Sequence, residues 1–145
     1  MMKEDIKSMM KKVSFAAIFF AFAMFVAAPL AQATTVSEVQ SMINQLKGKV
    51  QSISISGKQA ESKDRPGLLG QLDGVLLTLD QGKFCNSVKK VQDFKIKVTE
   101  MNSAGKLNQD PTVGPTAQDL LNDADAIIAA LNELQTQSNG SACNF

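Results

Sequence analysis

The 145-residue chain contains no histidine, tryptophan or tyrosine, only four prolines, and only two cysteines. Without histidine there is no general base with an unperturbed pKa near neutrality, no Ser-His-Asp triad and no histidine-containing zinc site. Phe84, Phe94 and Phe145 are the only aromatic residues after residue 33, too few for the exposed aromatic platforms that hold carbohydrate. Neither sign of charge dominates. Four of the fifteen basic residues and two of the fourteen acidic ones precede Thr34, which leaves eleven against twelve and a net charge of −1. A nucleic-acid ligand requires a clustered basic surface. Lys47 with Lys49 and Lys89 with Lys90 are too few for one and suit solvated helix faces. No nucleic-acid partner, cofactor or metal is expected, and the chain is not expected to be an enzyme.

The one long hydrophobic run lies at the N-terminus. Lys3, Lys7, Lys11 and Lys12 precede VSFAAIFFAFAMFVAAPL, and Ala31-Gln32-Ala33 follows it. A basic region, an apolar region and a small-x-small motif in that order form a secretory signal peptide. Residues 1–33 are therefore expected to be removed, giving a secreted protein, periplasmic or extracellular. Val13 to Leu30 only just reaches bilayer-spanning length, and Pro29 before the Ala-Gln-Ala motif favours cleavage over a retained anchor. No membrane span is expected after cleavage. Cys85 and Cys143 both lie in the exported part, 58 residues apart and outside any Cys-x-x-Cys motif. In an oxidising compartment they are expected to form one structural disulfide.

The remaining residues read as helices. Val39, Ile43, Leu46, Val50 and Ile53 recur at steps of three and four, and Thr35 with Glu38 suits a capping box. This first helix is expected over Val36 to about Ile55. Gln51 to Ser56 also alternates at the strand period, but a lone strand has no partner, so a frayed helix end is favoured. A polar linker is expected from Gly57 to Arg65. A second helix starts at Pro66, carries Leu68, Leu69, Leu72, Val75, Leu76 and Leu79, and stops at Gly82. A third starts at Phe84 or Asn86 and runs through Val88, Val91, Phe94, Val98 and Met101 to Gly105. Ile96 and Cys85 fall partly off its apolar stripe. After the Asp110-Pro111 and Gly114-Pro115 loop, Thr116 caps a last helix through Leu120, Ala124, Ile127, Leu131 and Leu134. An irregular tail is expected from Gln135. The fold class is all-α, a small antiparallel bundle of three to four helices. Its segments are the leader (1–33), an N-terminal helix and linker (34–66), and a helical domain with its tail (67–145).

The stretch LLGQLDGVLLTLDQGKFCNSVKKVQDFKIKVTEMNSAGKL, followed after the loop by AQDLLNDADAIIAAL, resembles the FIMAH domain family over Leu68 to Leu134. The similarity lies in Leu79 to Gly82, Phe94, Gly105-Lys106-Leu107, and Ala124 with Ile127 and Ile128. The resemblance implies a non-catalytic accessory module of exported bacterial proteins, with no catalytic residues to transfer. The expected function is accordingly protein–protein or cell-envelope interaction, with an exported protein or an envelope component as partner. Val39, Ile43, Leu46 and Val50 are the candidate interaction face, unless they complete the core. The alternative is a periplasmic bundle binding a small ligand or cation, resting on Asp110, Asp119, Asp123 and Asp125.

Overall fold

The computed structural model describes residues 32–145; the leader and its apolar run lie outside the described residues. Four helices follow in order: α1 (Val36–Ser52), α2 (Arg65–Asp80), α3 (Phe84–Ser103) and α4 (Ala117–Asn139), with a π-helical turn (Ala60–Asp64) leading into α2. The cross-helix pairs fix their directions. Gln40 reaches Asp80 while Lys47 reaches Asp73, so α1 and α2 are antiparallel. Thr78 bonds Ser87 at 2.7 Å, and the Lys90 side chain lies beside Gly74, so α2 and α3 are antiparallel too. α3 and α4 are joined by Lys95–Asp125 and by the cysteines. α4 returns against α1 through Thr34–Glu133 and Lys49–Asp123. The result is an up-down-up-down bundle closed by α1 against α4.

Its core is apolar and continuous. Val39, Ile43, Leu46 and Val50 of α1 meet Leu68, Leu72 and Val75 of α2, Val91, Phe94 and Val98 of α3, and Leu120, Ile127 and Leu131 of α4, all with no exposed surface. Burying each such side chain is worth roughly 1.5–3 kcal/mol. The helix ends follow their local chemistry. Thr35 with Glu38, and Thr116 with Asp119, form complete capping boxes. Gly82 and Gly105 end α2 and α3 at φ 68, a left-handed conformation that a β-carbon would strain.

Three local expectations are corrected. α1 stops at Ser52, and the following segment is extended: Ile55 makes an antiparallel bridge to Leu107, with Ser56 N–H donating to Lys106 O at 2.8 Å and Asn108 N–H to Ser54 O at 3.1 Å. The partner that a lone strand lacked is supplied by the exit of α3, about fifty residues later in the chain. Among the described residues this bridge stays isolated and no strand forms. The polar linker is likewise ordered. Its π-helical turn precedes Pro66, whose ring excludes the carbonyl four residues back and which has no N–H to donate. Asp64, 7 % exposed, accepts from Lys106 Nζ at 3.1 Å and ties this turn to the same exit of α3. Lastly, α4 continues past Gln135 to Asn139 and ends at Gly140. The apolar stripe stops at Leu134, but the polar turn beyond it is held by Glu133–Gln137 and by the chain returning to Cys143.

Candidate interaction surface

Cys85, in the first turn of α3, and Cys143, just beyond α4, form a disulfide with Cα atoms 5.4 Å apart. Antiparallel α3 and α4 bring these two ends together. The Cys143 N–H also donates to Asn132 Oδ1 at 3.4 Å. Both sulfurs are engaged, and no cysteine remains free.

The stripe proposed as a docking face is not one. Val39, Ile43, Leu46 and Val50 have no exposed surface and complete the core against α2 and α4. The physical reason is the closing of the bundle: with α4 returning alongside α1, the apolar side of α1 has two neighbours and none of it is left for a partner.

The four candidate cation ligands are spent separately. Asp110 accepts from the Thr112 hydroxyl at 2.7 Å and then from its N–H at 2.9 Å, which together hold the carboxyl below the usual aspartate range. Asp119 caps α4, Asp123 pairs with Lys49 at 2.7 Å, and Asp125 pairs with Lys95. Among the described residues no group of three or more metal-ligating side chains converges. Asn108, one polar residue in a polar stretch of sequence, organises the proline loop: its amide donates to Asp110 O, Gly114 O and Pro115 O.

Asp119 gives the fold a pH dependence. The Thr116 N–H, at 2.8 Å, and then the Thr116 hydroxyl lower its pKa. A depressed carboxylate stabilises the fold above its unfolded-state pKa, and that contribution is lost as the pH falls through the folded-state value. Asp119→Asn is therefore expected to cost stability at neutral pH and very little at about pH 2, below the ordinary aspartate range. Urea unfolding at the two pH values checks this; an equal loss at both would assign the effect to packing instead.

With the apolar side of α1 and the carboxylates accounted for, one uncommitted surface among the described residues is the outer side of α2 and α3. Gly67, Gly70, Gln71 and Gly74 of α2 and Lys90 and Asp93 of α3 line a shallow groove of about 340 Å³. A second depression continues from Gln71 and Asp93 to Ile96, Lys97 and Glu100. A β-carbon at Gly67 or Gly70 would meet nothing, and one at Gly74 only the Lys90 side chain at 3.6 Å. Packing within the chain therefore does not require these glycines, although each costs a helix interior about 1 kcal/mol relative to alanine. Gly67 and Gly70 leave part of the groove wall as bare backbone, while the Lys90 side chain lies over Gly74. Gln71 Oε1 is buried in that wall without a hydrogen-bond partner among the described residues.

Ile96 stands at the end of this groove and is 57 % exposed; Leu77, on the outer side of α2, is 60 % exposed. The sequence carried one signal for the surface, the displacement of Ile96 from the apolar stripe of α3. The spacing of Gly67, Gly70 and Gly74 was a second, since three and four residues place them on one helix face.

Among the described residues no helix is long and apolar enough to cross a membrane. Comparison of the chain with protein-family models, curated proteins and solved structures gives no match.

Proposed function

We propose that this chain is an exported, non-catalytic helical module that acts through protein–protein or cell-envelope contact, using the outer surface of α2 and α3. The observation that carries the reading is Ile96: a large apolar side chain more than half exposed, beside a groove whose backbone wall is open to close approach. The resemblance of Leu68 to Leu134 to FIMAH domains supports a role without catalysis.

Three features support export. The leader has the order of a signal peptide, and the disulfide suits an oxidising compartment. The compact unit also begins at Thr34, the first residue after the Ala-Gln-Ala motif. The Thr34 N–H already donates to Glu133 Oε1 at 3.3 Å, and the Thr34 hydroxyl and then this N–H lower the Glu133 pKa. Cleavage before Thr34 turns that amide into an ammonium group facing a carboxylate, which strengthens the contact.

A photo-cross-linking amino acid at position 96, introduced in the producing cell, tests the reading. Adducts are expected from position 96 and not from Asn122, an exposed residue on α4. Absence of adducts from position 96 would refute contact through this face.

A further inference from the structure

We infer, building on the interaction reading above, that the occupant of this face is a second copy of the same chain, docked antiparallel through α3. The acidic side chains point to this occupant. Between Glu38 and Glu133, nearly all are engaged: Glu38 and Asp119 in capping boxes, Glu61 with Arg65, Asp64 with Lys106, and Asp73 with Lys47. Asp80 accepts from Gln40, Asp110 from Thr112, and Glu133 from Thr34, while Asp123 and Asp125 pair with Lys49 and Lys95. Only Asp93 and Glu100 have no partner among the described residues, and both lie on the exposed side of α3. Lys90 and Lys97, beside them, make no ion pair with a described residue either.

These four charges alternate along α3 as Lys90, Asp93, Lys97 and Glu100, and their spacing is self-complementary under reversal. A two-fold axis at the level of residue 95 is five residues from both Lys90 and Glu100, and two from both Asp93 and Lys97. An antiparallel copy then sets Lys90 opposite the second copy's Glu100 and Asp93 opposite its Lys97. Symmetry repeats both pairs, so each unpaired charge meets one of opposite sign. A parallel copy would set like against like. At about 100° per residue Ile96 lies roughly 80° around α3 from the middle of this charged stripe, so the two copies of Ile96 flank the charge pairs, one on each side of the seam. An identical patch on both partners is what a two-fold contact requires. The bare glycine wall of α2 gives the second copy room to approach.

Exposed ion pairs are individually weak, so the dimer is expected in the micromolar range. Sedimentation equilibrium of the exported protein, residues 34–145 and a compact unit in itself, is expected to show a monomer–dimer equilibrium that weakens with salt. Asp93→Lys reverses two symmetry-related pairs and is expected to raise the dissociation constant at least about tenfold, as is Ile96→Glu at the flank of the seam. Asp93→Lys combined with Lys97→Asp swaps the signs and is expected to restore association, a rescue that loss of folding would not give. A monomeric wild type, or a dimer indifferent to both single substitutions, overturns the inference. The cross-linker at position 96 separates the two levels. Adducts to a different protein overturn the second copy but leave an interaction module, whereas no adducts at all remove both.

Discussion

Replacing Cys85 and Cys143 together by alanine is expected to lower the unfolding free energy by about 4 kcal/mol. The bond closes a segment of 58 residues, and in the chain-entropy model a loop of that length restrains the unfolded chain by about that amount. Domains of this size have roughly 5–15 kcal/mol of net stability, so the loss is about a quarter of it or more. Alanine is the appropriate replacement because Cys143 packs partly against the core, where a serine hydroxyl would add a separate desolvation cost. In urea, the midpoint is expected to fall by about 2 M at an ordinary slope for the size. Reducing the wild-type protein should reproduce the shift. A loss under about 1 kcal/mol would mean that the unfolded chain is already compact between the two cysteines, leaving little entropy for the bond to remove.

Arg65→Met is expected to cost about 2 kcal/mol, although Arg65 belongs to no apolar stripe. Its Nη1 donates to the carbonyl oxygens of Val50, Gln51 and Ile53, the end of α1. Those carbonyls have no partner within their own helix and carry the negative end of its dipole. Its Nη2 and Nε meanwhile hold Glu61 at 2.7 and 2.9 Å. The Arg65 side chain is only 16 % exposed, so its charge-assisted bonds keep much of their value. Methionine retains the aliphatic volume and removes the donors. Lysine restores a charge without the planar fork and is expected to recover only part of the loss. Glu61→Gln should leave the midpoint nearly unchanged, because Glu61 is solvent-exposed and its pair with Arg65 is a surface one. Thermal unfolding of the three variants checks the ranking. If Arg65→Met and Glu61→Gln cost the same, the surface pair accounts for the whole effect, and the carbonyl contacts contribute nothing.

Much of the fold was legible because helices declare themselves locally. Thr35 with Glu38, Thr116 with Asp119, Gly82 and Gly105 set helix boundaries from a few adjacent residues, and the leucine and valine spacings set the buried faces. The pairing of the cysteines followed from compartment and topology together. Illegible were the contacts made over long sequence separations. Ile55 looked like the end of a helix because its partner, Leu107, belongs to another helix's exit. Arg65 and Asp64 looked like linker residues because the carbonyls and the ammonium they bind are fixed only by packing. Asn108 looked like one polar residue in a proline loop, yet it holds three of that loop's carbonyls.

The candidate surface shows the same division. Periodicity reports that a helix has an apolar side, but not how many neighbours will cover it. For α1 the answer is two, so Val39, Ile43, Leu46 and Val50 vanished into the core. For α3 it left Ile96 outside, among charges without partners. The sequence by itself determined the helices, their caps, the cysteine chemistry and the near-neutral charge, since each depends on residue type and short spacing. Only the tertiary structure decided which side of each helix remained in water. That is set by where the chain returns, and burial depends on the neighbour as much as on the residue.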